Sequence, residues 1–255
     1  MENGTAGRIT GMSARRKPVR PAGSPSRSIV AIVVAGGAGS RLASRTPKPY
    51  VRLGAYPLLV HALRVLERVA AIDRIILVAE KSQIARARRA VQRYGITKTT
   101  DVVAGGATRT ESVRHGLAAC GPQTGWVVIH DAARPFITVA QVNDCLNVAL
   151  KTGAAVCAIP CASTIKSVGA DRRVTATLNR QELWEIQTPQ IFRVELLRQA
   201  YARLARGAAA WYDDASLVEQ LPYPVSVVAA SSRNIKITTR EDLVLARLLI
   251  AQQNP

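Results

Sequence analysis

The chain has 255 residues, 48% of them hydrophobic and 20% charged, enough to bury a sizeable core as one large domain or two small ones. It holds no unbroken apolar run near the roughly 20 residues that a membrane-spanning helix needs, which excludes that class. Thirty-five Lys and Arg face 17 Asp and Glu, a formal net charge of +18, so an anion is the expected partner: nucleic acid, an acidic membrane surface or a phosphorylated small molecule.

Residues 1–28 carry Arg8, Arg15, Arg16, Lys17, Arg20 and Arg27 against Glu2. They are rich in Gly, Pro and Ser and lack apolar periodicity, so the reading is a disordered basic extension. Pro18, Pro21 and Pro25 work against the amphipathic helix of a transit peptide, and Met12 is an alternative start. From Ser28 short β-rich runs alternate with helical ones, the pattern of βαβ units and a parallel sheet. Strands are expected at 29–35, 74–79, 101–104, 126–130, 154–159 and 224–229. Between them Leu59, Ala62, Leu63, Leu66 and Val69 repeat at helical spacing, as do runs within 81–94, 109–119, 139–150, 193–206 and 239–252. One stretch breaks the alternation: 164–168 and 174–178 are β-like around Gly169-Ala170-Asp171-Arg172. This predicts a hairpin inserted at about 163–180 that protrudes from a domain spanning 29–255.

The first strand runs into Ala35-Gly36-Gly37-Ala38-Gly39-Ser40-Arg41-Leu42. Glycines at the carboxyl end of a parallel strand let backbone N–H groups approach phosphate, and Arg41 adds a permanent charge. A dinucleotide fingerprint needs glycine where Leu42 stands, and a P-loop needs Gly-Lys-Ser/Thr. Taken alone, the turn is equally a tight strand-to-helix corner. Lys48 follows between Pro47 and Pro49, which stiffen the segment and fix the ammonium. Read singly, Arg109 and Arg134 are also surface charges, Asp131 a helix cap and Lys236 a solvated lysine. Cys120, Cys145, Cys157 and Cys161 show no C-x-x-C spacing, and His61, His115 and His130 form no zinc-like group with them. Four reduced thiols and a cytoplasmic protein are expected.

The blocks Gly-Gly-x-Gly-x-Arg-Leu, Pro47-Lys48-Pro49, 105–113 (Gly-Gly-Ala-Thr-Arg-Thr-Glu-Ser-Val), 130–135 (His-Asp-Ala-Ala-Arg-Pro), 164–166, 188–192 (Thr-Pro-Gln-Ile-Phe), 213–216 (Asp-Asp-Ala-Ser) and 234–238 occur in one order. Together they resemble the 2-C-methyl-D-erythritol 4-phosphate cytidylyltransferase family over residues 29–252. The resemblance implies an α/β, Rossmann-like, mostly parallel sheet of the nucleotide-diphospho-sugar transferase type, with helices on both faces and a protruding β-arm. It implies a nucleotidyltransferase joining CTP to the alcohol phosphate with Mg²⁺, held mainly by the CTP phosphates near Asp131, and no direct protein metal site. Arg41, Lys48 and Lys236 match the cations at the transferring phosphate. Ala35, Gly36, Gly37, Gly106 and Ser112 match positions that read cytosine and ribose, while Asp131 and Arg134 match the sugar-phosphate side. The arm implies a homodimer in which Thr164 and Arg180 serve the partner's site. Thr188 is a supporting position, and His130 reads as structural because an ionised phosphate nucleophile needs no base. Two positions depart from the pattern: Ala107, often acidic, and Tyr212, often Thr. A ribitol-5-phosphate cytidylyltransferase is the alternative enzyme. A nucleic-acid-binding protein is a remote one, since aromatic residues at 4% leave little to stack on bases, and neither nucleic acid nor membrane is expected as a partner.

Overall fold

The computed structural model describes residues 28–36, 42, 44, 46–204 and 211–252. Residues 1–27 of the expected 1–28 extension, Gly37, Arg41 and most of the glycine-rich turn lie outside them, while Ser28, expected in the extension, opens the first strand. In chain order the elements are β1 (Ser28–Ala35), β2 (Arg52–Leu53), β3 (Tyr56–Pro57), α1 (Leu58–Arg68), β4 (Arg74–Ala79), α2 (Ile84–Arg93), β5 (Thr99–Ala104), α3 (Arg109–Ala118), β6 (Thr124–Asp131), α4 (Val139–Thr152) and β7 (Ala154–Pro160). They continue with β8 (Lys166–Val168), β9 (Val174–Thr177), β10 (Trp184–Arg193), α5 (Val194–Ala202), α6 (Asp214–Val218), β11 (Ser226–Ala229) and α7 (Arg240–Ala251). Seven strands form one sheet in the order β11-β7-β10-β6-β1-β4-β5. Among the described residues no helix is long and apolar enough to cross a membrane.

The apolar run of β1 is buried on both faces, as a central parallel strand requires. Alternate residues divide between two cores. Ile29, Ala31, Val33 and Ala35 pack with Leu59 and Leu63 of α1, Ala87 of α2 and Leu146 of α4. Val30, Ile32 and Val34 pack with Val113 of α3, Leu197 of α5 and Val218 of α6. A third cluster of Leu42, Leu53, Leu58, Phe136, Ile237 and Ala246 fastens α7 and the strip before it to the loop after β6. That cluster, with the Ile237 N–H bonded to the Ala133 carbonyl at 2.9 Å, carries Lys236 to the end of β6.

The six expected strands and six expected helices are present, with ends shifted by up to four residues. The largest departure is β10, which sequence reading passes over as a motif. Pro189 within a run argues against a central strand because it donates no ladder hydrogen bond. Yet β10 lies between β6 and β7, antiparallel to both, because the register against β7 breaks between Ile186 and Gln190 and Pro189 falls in that break. Short α6 was also unread. Its start is set by Asp213, whose carboxylate accepts the Ser216 N–H. The hairpin is present as β8 and β9, antiparallel, with Arg172 at φ 61° in its turn and residues 171–182 all exposed.

Candidate active site

The site lies at the carboxyl ends of the strands, where α/β sheets gather ligand groups. Its first part is made of small residues. Ala35 and Gly36 end β1, Gly105 and Gly106 follow β5, and Ser112 stands in the first turn of α3. The Ser112 hydroxyl accepts the Gly106 N–H at 3.2 Å and donates to the Thr108 carbonyl at 2.9 Å. A capping box between Thr108 and Glu111 fixes the start of α3. At Ala107 the backbone N–H also donates to the Glu111 carboxylate, at 2.7 Å. Gly36 and Ser112, expected from separate blocks, lie close together at the strand ends: a Cβ at Gly36 would stand 3.8 Å from the Ser112 hydroxyl.

The second part is charged. Asp131 at the end of β6, only 6% exposed, pairs with Arg109 at 3.0 Å through one oxygen and with Lys236 at 2.7 Å through the other. Arg109 also reaches Asp214, 1% exposed, at 2.7 Å, and the Tyr201 hydroxyl donates to the same carboxylate at 2.6 Å. Burial acts to raise the pKa of Asp131, but Arg109 and Lys236 outweigh it and hold the carboxyl far below the usual range. Arg109 is held more firmly protonated than an ordinary arginine: burial opposes its charge, and Asp214 and Asp131 overcome that. Burial and Asp214 together raise the Tyr201 phenol.

A hydrogen-bonded chain backs this node. The Thr188 hydroxyl accepts the Asp131 N–H at 3.1 Å and donates to His130 Nδ1 at 2.9 Å, and His130 Nε2–H donates to the Arg134 carbonyl at 3.2 Å. Burial lowers the His130 pKa to about 4, so the ring is neutral and fully engaged, as a structural residue should be. Arg134 donates to the Asn234 carbonyl at 2.8 Å, and Asn234 donates to Gln187 at 2.7 Å and to the Thr188 carbonyl at 3.0 Å. Gln190 spans the start of α6, donating to Asp213 and accepting the N–H groups of Asp214 and Ala215.

Around these groups is a cavity of ≈ 380 Å³ lined by Arg109, Asp131, Arg134, Thr188, Tyr212 and Lys236 among others. Tyr212 is at its mouth, 99% exposed. Lys48 occupies a short turn at 48–50, half-buried. Thr164 and Arg180 flank the hairpin strands, exposed, and do not line this cavity. Sequence reading left out Arg109 as a site residue and did not see Asp214, Tyr201, Gln190 or Asn234. Arg109 and Asp214 lay inside quoted blocks, but only the fold shows that one bridges the other to Asp131.

A mostly parallel α/β sheet that gathers glycines and a cluster of cations on buried carboxylates at the carboxyl ends of its strands is suited to a phosphorylated ligand, the kind of site a nucleotidyltransferase needs. Comparison with known proteins makes the assignment particular. The family model for 2-C-methyl-D-erythritol 4-phosphate cytidylyltransferase matches residues 29–252. The protein of that name from Syntrophus aciditrophicus is 41% identical over 226 residues, 88% of this chain and 97% of its own. Its namesake from Pelotomaculum thermopropionicum is 41% identical over 87% of this chain and 94% of its own. Among solved structures, the 4-diphosphocytidyl-2C-methyl-D-erythritol synthase of Anaerococcus prevotii superimposes with a TM-score of 0.78 at 32% identity, covering 89% of this chain and 97% of that one. The Thermus thermophilus cytidylyltransferase gives 0.71 at 29% identity, covering 86% and 98%. The chain belongs to the 2-C-methyl-D-erythritol 4-phosphate cytidylyltransferase family.

Proposed function

We infer that the protein transfers the cytidylyl group of CTP to 2-C-methyl-D-erythritol 4-phosphate, giving 4-diphosphocytidyl-2-C-methyl-D-erythritol and pyrophosphate in non-mevalonate isoprenoid biosynthesis. The observation that carries this reading is Asp131 at the end of β6 with Arg109 and Lys236 on its two oxygens. Two anions must meet in this reaction, so the protein's work is positioning and charge neutralisation. An oxygen of the acceptor phosphate attacks the α-phosphorus in line. The new P–O bond forms as the bond to the bridging oxygen breaks, and pyrophosphate leaves. No proton need be removed from an ionised phosphate, which agrees with a neutral His130 whose two ring nitrogens are both in hydrogen bonds.

In this reading Ala35, Gly36, Gly37, Gly106 and Ser112 hold the cytidine, and Arg41, Lys48 and Lys236 face the triphosphate and the transferring phosphate. Asp131 keeps Lys236 in place, and Arg134, lining the cavity, faces the acceptor phosphate. Among the described residues no three His, Cys, Asp or Glu side chains group to hold a metal, and both Asp131 oxygens are in ion pairs. That donor set fits a Mg²⁺ carried chiefly by the triphosphate with Asp131 as its nearest carboxylate, and the ion would add to charge neutralisation at the phosphates. Four free thiols support a reducing, cytoplasmic setting.

The test is pyrophosphate release with CTP and Mg²⁺. 2-C-methyl-D-erythritol 4-phosphate should be the productive acceptor, and faster turnover with ribitol 5-phosphate would overturn the assignment. In the same assay Lys236→Ala should lower kcat about a hundredfold while CTP binding weakens less.

Assembly follows from the hairpin. Thr164 and Arg180 are exposed and away from this chain's cavity, which supports a homodimer whose arm completes the partner's site. Mixing inactive Arg180→Ala with inactive Lys48→Ala protein should then restore activity through hybrid dimers. No recovery after proven subunit exchange would rule out shared sites.

A further inference from the structure

A second cavity, of ≈ 1300 Å³, lies apart from the catalytic one and shares none of its lining residues. Its walls are the β2–β3 turn at Gly54-Ala55, the outer face of α1, the loop Pro135–Thr138, the first half of α4 and the last turns of α7. Three guanidinium groups line it, Arg64 and Arg68 from α1 and Arg247 from α7, against one carboxylate, Asp144. Among the described residues none of the three arginines pairs with a carboxylate. The excess is therefore two positive charges, uncompensated within the described fold.

Other features make this a fitted surface and not a scatter of solvated arginines. Arg64 stacks 4.3 Å above the Tyr56 ring, and that ring is braced edge-on by His61 and by Tyr94, each with centroids 5.6 Å away. A guanidinium held on a buttressed ring loses little freedom when it takes a ligand. The positive end of α4, a helix of 14 residues, also opens here through Thr138, Val139 and Ala140. The same groove is also lined by the apolar side chains of Val65, Phe136, Ile137 and Ile250. The chain's own segment 1–28 is basic and would be repelled, so it is no candidate occupant.

We propose that this groove is a second binding site, for a phosphate monoester with an apolar body: the dianionic head meets Arg64, Arg68 and Arg247, and the body covers the apolar side chains. A phosphate monoester carries close to two negative charges at neutral pH, which matches the local excess. Inorganic phosphate satisfies the cations but leaves those side chains uncovered, so it binds more weakly. The wall Pro135–Thr138 directly follows Arg134, so occupancy presses on the loop that also lines the catalytic cavity.

The probe is n-hexyl phosphate, titrated calorimetrically into the full chain, with inorganic phosphate and n-hexanol as the separate halves of its chemistry. Hexyl phosphate should bind at least about tenfold more tightly than either half. Arg68→Gln/Arg247→Gln should weaken it by about tenfold or more while pyrophosphate release from CTP stays at the parent rate, which also certifies the variant's fold. Arg247→Glu, a single exposed change on α7, serves as the second variant and should weaken it at least as much. Lys236→Ala should leave hexyl phosphate binding intact. Equal affinity for hexyl phosphate and inorganic phosphate, unchanged binding in both arginine variants, or binding lost in Lys236→Ala alone would each overturn the proposal.

Discussion

The two groups of residues at the strand ends that the proposed function draws on are made of different material. At the ends of β1 and β5 the residues are glycine, alanine and one serine, with the start of α3 held by its capping box. At the junction of β6 and β10 the group is a chain of charged and polar side chains, Lys236 to Asp131 to Arg109 to Asp214 to Tyr201. In the proposed function the first side would recognise by fit, so its precision would rest on what is absent: a Cβ at Gly105 would lie 2.7 Å from the Ser112 hydroxyl. The second would recognise by charge, so its precision would rest on every partner being present. A buried ion pair gives little net stability when complete but costs a great deal when one member is removed. The charged side should therefore be the fragile one.

Arg109 is the sharpest place to break it. Among the described residues it is the one that pairs with both buried carboxylates, so Arg109→Leu leaves, of those partners, Asp131 with Lys236 and Asp214 with the Tyr201 hydroxyl. The expected loss is about 3–5 kcal/mol of unfolding free energy, measured in urea at pH 7. Arg109→Lys should recover only part of this, because one ammonium cannot place two directed donors on two carboxylates. A loss under about 1 kcal/mol for Arg109→Leu would show that the node is solvated and that the contrast between the two sides is false.

The neutral histidine behind the node offers a pH test. His130 titrates near 4 in the folded chain, burial being the main cause, and near 6.5 when unfolded. Between these values the unfolded chain binds the extra proton, so the contribution of His130 is fully present above about pH 6.5 and is lost as pH falls toward 4. The shift amounts to about 3 kcal/mol. His130→Gln keeps an acceptor for the Thr188 hydroxyl and a donor for the Arg134 carbonyl but does not titrate. Its stability should fall less steeply than the parent's across that window in urea melts at a series of pH values. Parallel curves would remove His130 from the account of acid sensitivity.

How far the sequence anticipated each side follows from the same contrast. The small-residue side comes from contiguous strings, the end of β1 at 35–36 and 105–113, and the strands that deliver them are apolar runs of standard length, so their placement at the strand ends could be read directly. The charged side joins residues far apart in the chain, Arg109 to Asp214 across 105 positions and Arg134 to Asn234 across 100, and no local pattern reports such pairs. Strand β10, which positions Thr188 and Gln190 behind the node, was hidden for a second reason. Its mixed polar and apolar residues and Pro189 break the period-2 signal, and only the interrupted register shows how a central strand tolerates them. The family resemblance supplied Asp131 and Lys236 where periodicity did not, but it left out the arginine between the carboxylates.

The smallest expected effect lies on the small-residue side, in a paired comparison of Gly36→Ala and Gly105→Ala. At Gly36 an added Cβ meets nothing nearer than the Ser112 hydroxyl at 3.8 Å, which is ordinary contact. At Gly105 the same methyl meets that hydroxyl at 2.7 Å and Val78 at 3.4 Å, and Ser112 cannot swing away without losing its bonds to the Gly106 N–H and the Thr108 carbonyl. Gly105→Ala should cost about 1–3 kcal/mol, and the displaced Gly106 N–H should raise KM for CTP more than it lowers kcat. Gly36→Ala should stay within about 0.5 kcal/mol of the parent in stability. Its KM for CTP decides what the empty space is for. A raised KM with unchanged stability means the space belongs to the nucleotide, whereas parent-like behaviour in both measurements would mean that the glycine serves only the turn.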